Sequence, residues 1–158
     1  MEALAVIWRA AGLLMALPAE SVLEVLPPVS SRAVPAVPAW VRGLFSYRGT
    51  LIPLIDAARL LGSEPRPDRM VNRVLVVRIA AAGVPPWPVG LWVESVLDLE
   101  RVDFSAAGGH PGFATEGGRF LGPVVETRFG QVQLLKAAEL FRPDEAEILT
   151  RRIGEAAA

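Results

Sequence analysis

The residues that could do chemistry in this chain are few, and their spacing limits them further. The one histidine, His110, stands in a glycine-rich stretch, "VDFSAAGGHPGFATEGG", and there is no cysteine. A metal centre needs several convergent His, Cys or carboxylate ligands, so a lone imidazole in a loop does not make one. Nucleophilic catalysis needs a base held against the nucleophile. Ser46 in "GLFSYRG" lacks the Gly-x-Ser-x-Gly elbow, and His110 is remote in sequence with no orienting partner. "GGRFLG" and "GTLIPL" carry glycines but no Gly-Lys-Ser/Thr, so no phosphate-cradling loop is written. Without cysteine, disulfides and thiol catalysis are excluded. The net charge is −1 and Lys136 is the only lysine, which is not the basic, aromatic-laced groove that single-stranded nucleic acid needs. These residues predict no enzyme, no cofactor, no metal and no nucleic-acid partner.

A surface for binding must then be positioned by the fold, and the sequence writes its elements twice. "ESVLEV" at 20–25 returns as "ESVLDL" at 94–99, an offset of 74. "VIWRAAG" precedes the first copy and "LVVRIAAAG" the second. "VRGLFSYRGTLIPLIDAARLL" follows the first and "RFLGPVVETRFGQVQLLKAAELF" the second, with the double alanines offset by 80. Landmarks recurring in one order mark an internal repeat. With 158 residues, 52% of them hydrophobic, the chain can bury roughly 70% of its unfolded surface as one unit. The reading is one domain over 1–158, with two similar subdomains at roughly 1–70 and 71–142 and a C-terminal helix at 143–153.

Each half reads as strands. "ALAVIWRAAGLLMALP" suits a hairpin turning at Ala-Ala-Gly, and "WVRGLFSYRGTLIPLID" one turning at Arg48-Gly49. Val, Ile and Leu dominate "NRVLVVRI" and "WPVGLWVESVLDL", where β-branched side chains fit a pleated surface. Short strands about ten residues apart, punctuated by 14 glycines and 14 prolines, point to small barrels or sandwiches. Pro53 predicts an edge or bulged strand for "TLIPLID". Helical turns are expected at Asp56 to Leu61 and Lys136 to Phe141. Pro143, the acidic Asp144 and Glu145, the basic Arg151 and Arg152, and then Gly154 mark the one longer helix. "GSEPRPDRMV" reads as the connector between halves, and 101–119 as a surface loop. The N-terminus is apolar, but Glu2 opens it and Arg9 interrupts it, which is not a secretory signal. The uncharged run Ala10 to Ala19 is too short to span a bilayer. A cytoplasmic protein without direct membrane insertion is expected.

Several of these stretches together resemble the CheW-like coupling proteins of bacterial chemosensory pathways. They are "VLEV" at 22–25, "VPAVPAWVRGLFSYRGTLIPLIDAARLLG" at 34–62, "NRVLVVRI" and "VGLWVESVLDL", with Pro35, Pro38, Gly43, Arg48, Gly49, Pro53 and Asp56 in the family's register. The resemblance covers about Leu4 to Phe141. It implies a mainly β fold of two small five-stranded, SH3-like barrels sharing an apolar interface, with short helices and a C-terminal helix. It also implies a non-catalytic adaptor that links the cytoplasmic tip of methyl-accepting receptors to the regulatory domain of a CheA-type histidine kinase, recruited to receptor arrays and compatible with self-association there. By the same likeness Val22 and Glu24 match the Val-x-Glu-Val segment, Arg48 the arginine of Asn-Leu-Arg-Gly, and Gly43, Val74, Leu75, Gly90 and Leu99 further partner-binding positions.

Plainer roles compete for those residues. Val22, Val74, Leu75 and Leu99 also suit a core. Gly43 and Gly90 also suit a backbone requirement, and Glu24 and Arg48 an exposed ion pair of small stabilising value. Ser46-Tyr47 replaces the family's Asn-Leu, Val93-Glu94 its usual Val-Asp, and the first hairpin is unusually apolar. These departures leave open an adaptor of a non-flagellar pathway, controlling pili, surface sensing or cyclic-dinucleotide synthesis. The alternative from another class is a small-molecule-binding barrel using an apolar groove.

Overall fold

The computed structural model describes residues 2–79, 88–103 and 119–157. His110 and most of the glycine-rich stretch lie outside the described residues. The first hairpin pairs β1 (Ala3–Ala10) with β2 (Leu13–Pro18). Its two turn residues, Ala11 and Gly12, have φ of 53° and 73°. Two left-handed residues in succession give a turn whose twist matches that of the strands. Alanine tolerates this at Ala11 because its N–H is held by Glu94 Oε1 at 2.7 Å.

The remaining strands are β3 (Val22–Leu26), β4 (Val41–Tyr47), β5 (Thr50–Asp56), β6 (Arg73–Arg78), β7 (Pro88–Val93), β8 (Ser95–Val102), β9 (Leu121–Thr127) and β10 (Gly130–Leu135). They form two five-stranded sheets, ordered β8-β1-β2-β10-β9 and β3-β6-β7-β5-β4. Advancing every first-half strand by five and setting back every second-half strand by five turns one order into the other. The two halves are thus topological equivalents, yet neither makes a sheet alone. The β1–β2 hairpin of the first half joins β8, β9 and β10, while β6–β7 of the second joins β3, β4 and β5. The expected division near residue 70 is therefore not a division between sheets, since each sheet takes three strands from one half and a hairpin from the other.

The exchange explains the apolar runs. In β1, Val6 and Trp8 face a central core between the sheets, while Ala5 and Ile7 face the interior of their own sheet. In β6, Leu75 and Val77 face the central core, and Val74 and Val76 face inward with Phe45, Ile52 and Leu54. A strand buried on both faces reads as continuous rather than alternating hydrophobicity. Pro53 corrects a second expectation, because β5 is interior, between β7 and β4. The parallel ladder with β7 starts at Leu54, so the missing proline N–H falls outside it. The bulge lies instead in β4, between Val41 and Gly43.

Asp56 caps α1 (Ala57–Leu60), its carboxylate accepting the Arg59 N–H at 3.3 Å. A 3-10 turn at Ala137–Glu139 occupies the equivalent place in the second half. Helix α2 (Pro143–Ala157) starts where the proline predicts and seats Ala146 and Leu149 in the central core. It runs through Gly154 instead of stopping there. Its last turn holds no basic residue of its own. Arg32 supplies the cation, donating to the Ala156 carbonyl at 3.2 Å.

Candidate functional site

The edges of the second sheet are β3 and β4, and side chains tie them together. Glu24 of β3 accepts from Arg48 Nη2 at 2.9 Å and from the Tyr47 hydroxyl at 3.2 Å. Arg48 and Gly49 form the two-residue β4–β5 turn with φ of 49° and 80°. That turn aims Arg48 across the seam and leaves its side chain 74% exposed. Its guanidinium carbon also lies 5.4 Å from the Tyr47 ring centre. Leu23 and Val25, the residues of β3 on either side of Glu24, are both exposed. The arrangement is a fork of charge-assisted donors beside an apolar strip on a free strand edge, suited to holding a partner.

The first sheet carries the same device. Asp98 stands where Glu24 does in the repeat, and Arg128 follows β9 as Arg48 follows β4. Arg128 pairs with Asp98 and, at 3.6 Å, with Glu100, while its backbone N–H donates to Glu100 at 3.2 Å. The edges β8 and β9 are joined by it as β3 and β4 are by Arg48.

Of the residues matched to partner-binding positions, Glu24 and Arg48 come together at the β3–β4 seam, and Val22 shares strand β3 with Glu24. Val22 is half-buried, against the central core. Leu99 lies on the other sheet, 50% exposed on β8. Val74 and Leu75 have no exposed surface, and Gly43 and Gly90 are buried too. A Cβ on Gly90 would stand 2.5 Å from Phe45, and one on Gly43 2.2 Å from the Arg32 carbonyl oxygen. In this fold those four lie buried behind the surface. Leu23, Val25 and Tyr47 belong to the seam and are absent from the motif match; the signal for Tyr47 is its place next to Arg48. Among the described residues no group of three or more His, Cys, Asp or Glu is placed to hold a metal ion, and no helix is long and apolar enough to cross a membrane.

The seam has a titratable reporter. Tyr47 is the only tyrosine, and its pKa is raised from 10.0, first by desolvation and then by its hydrogen bond to Glu24, with Arg48 acting in opposition. A raised folded-state pKa favours the protonated phenol. Its contribution to stability is therefore complete below the unfolded value and is lost as pH rises through the folded one. Tyrosinate absorbance is expected to titrate above 10.0 in the folded protein. In Glu24→Gln the midpoint should fall; an unchanged midpoint would separate Tyr47 from the seam.

Two matched sheets, each clasped at its edge by a hairpin arginine, define a doubled β module. The chain belongs to the CheW-like domain family, whose model matches residues 5–145. It is 39% identical over 70 residues to Protein PilI of Pseudomonas aeruginosa, covering 44% of this chain and 39% of that one. It is 35% identical over 82 residues to the probable chemotaxis protein CheW of Rhizobium etli, covering 52% and 50% respectively. The matches thus span half or less of the length of these curated relatives. The crystal structure of the scaffolding protein TtCheW from Thermoanaerobacter tengcongensis superimposes with a TM-score of 0.81 at 26% identity, covering 94% of this chain and 99% of that one.

Proposed function

We propose that this protein is a non-catalytic cytoplasmic adaptor joining the tip of a methyl-accepting receptor to the regulatory domain of a CheA-type histidine kinase within receptor arrays. The observation that carries the reading is the Glu24–Arg48–Tyr47 clasp on an exposed sheet edge flanked by Leu23 and Val25, in a chain of the CheW-like family. Covering such a strip releases about 25 cal/mol per Å² of apolar surface. Small signalling contacts are individually weak, and array assembly supplies avidity. The space between the sheets is filled by the central core, which favours an adaptor over a small-molecule-binding barrel. The likenesses to PilI and to chemotaxis CheW proteins support an adaptor of the chemosensory type, with a flagellar or a non-flagellar output.

The test is co-sedimentation with a receptor hairpin fragment and with a kinase regulatory domain. The wild type is expected to bind both. Arg48→Glu should bind at least about tenfold more weakly while melting within a few degrees of the wild type, since the ion pair it breaks is exposed. A wild type that binds neither protein sinks the reading, and an Arg48→Glu variant that is unfolded removes Arg48 from the site.

A further inference from the structure

A second surface lies where the connector passes the junction of the two sheets, sharing no residue with the Glu24–Arg48 seam. Residues 62–72 are fixed there along their length. Arg42 grips Asp68 with both carboxylate oxygens in reach, at 2.8 and 3.1 Å. Buried Asn72 accepts the Arg69 N–H at 2.6 Å and donates to the Glu94 carbonyl at 3.0 Å. Arg73 donates to the Met70 and Asn72 carbonyls, both at 2.7 Å. Between these anchored residues, Met70 and Val71 point to solvent. They stand 87% and 54% exposed, Met70 the most exposed of the large apolar residues described. A methionine has the flexibility to mould to varied apolar partners.

Beside this pair opens a cleft of about 440 Å³, lined by Pro65, Pro67, Arg69 and Val71 and by the paired Arg66 and Glu94. Its charges are not equally available. Glu94 is the one carboxylate lining it, and that group already takes Arg66 at 3.0 Å and the Ala11 N–H at 2.7 Å. Arg69 is exposed and makes no ion pair among the described residues. Among the residues lining the cleft, a basic partner would find no free carboxylate. A polyanion would find one free guanidinium in a chain of net charge −1. The complement is a short peptide segment carrying a carboxylate next to an apolar side chain.

We infer that the connector cleft docks such an acidic-apolar segment, its carboxylate forked by Arg69 and its apolar side chain laid on Met70, Val71 and the two prolines. Arginine suits this because its planar donors match a carboxylate in two parallel bonds. Rigid prolines keep the cleft open without donating N–H groups to a strand.

The test uses phage-displayed peptide libraries of acidic-apolar, basic-apolar and uncharged-apolar composition, panned on the folded protein. Retained sequences are expected to carry Asp or Glu beside Leu, Ile, Met or Phe. A synthesised peptide from that set should bind Arg69→Glu and Met70→Asp at least about tenfold more weakly than the wild type. It should bind Arg48→Glu as the wild type does, so failure here and failure of the adaptor reading are separable. Both cleft variants change exposed side chains and should melt with the wild type; Arg69→Ala, which removes the charge without reversing it, should show the same loss. Selection of basic or uncharged peptides, no selection at all, or undiminished binding to Arg69→Glu would overturn the inference. So would concentration-dependent self-association abolished by Met70→Asp, which would make a second copy of this chain the occupant.

Discussion

Gly43→Ala is expected to melt about 10 °C below the wild type, the conversion for a domain of this size of a loss of about 3–4 kcal/mol. Gly43 has φ of 146°, a conformation open to glycine and strained for alanine. A Cβ placed there would stand 2.2 Å from the Arg32 carbonyl oxygen and 2.7 Å from its carbon. Those are backbone atoms, so no side chain can rotate away to make room. Arg32 exchanges two hydrogen bonds with Leu44, at 2.8 and 2.9 Å, and moving the segment aside breaks both. The control is Gly49→Ala. Gly49 also has positive φ, 80°, but nothing lies within 4 Å of its added Cβ, so only the backbone cost of about 1 kcal/mol remains. Thermal melts of the two variants side by side check the argument. Equal melting temperatures would mean that close approach to Arg32 does not matter. If Gly43→Ala also loses partner binding, the loss is of fold rather than of contact.

The repeat, the strand content and the first hairpin were legible because they rest on local signals: recurrent strings, β-branched runs and turn glycines. The exchange of hairpins between halves was not. The β1–β2 and β6–β7 hairpins are alike in pattern, and nothing in a hairpin's own residues says which three strands it will join. That choice is made by packing, with Val6 and Trp8 meeting Leu75 and Leu91 in one core. Pro53 misled for a related reason. Its cost depends on whether a neighbour needs its N–H, and the β7 ladder starts one residue later.

The candidate site was partly legible by the same measure. Glu24 and Arg48 stood out as a plausible pair across 24 residues, and they do meet. Leu23 and Val25 did not stand out, because their residue types suit a core as well as an edge. Only β3's place at the border of its sheet exposes them. Glu94 is the plainest case. In sequence it is the twin of Glu20, yet Glu20 sits exposed in a 3-10 turn. Glu94 joins the β1–β2 turn, the connector and the β7–β8 junction through Ala11, Arg66 and Asn72. Equivalent residues diverged in use because the elements packed around them differ.

Leu75→Ala and Leu99→Ala should part company, although both positions match partner-binding residues of the family. Leu75 is fully buried in the core between the sheets, with Trp8, Leu17, Val77 and Leu91 in the same cluster. Removing its side chain there costs about 3 kcal/mol, the transfer energy plus the cavity that a close-packed interior cannot fill. The melting temperature should fall by about 6–12 °C. Leu99 stands half exposed on an edge strand, so its truncation should change stability by no more than about 0.5 kcal/mol. Binding, measured well below both melting temperatures, should follow the opposite order: Leu75→Ala retains most of its affinity for the receptor tip or kinase domain, and Leu99→Ala loses the larger share. A Leu75→Ala variant that melts with the wild type but fails to bind would mean that β6 turns its buried face outward when a partner docks, and the separation of core from surface drawn from this fold would fall with it.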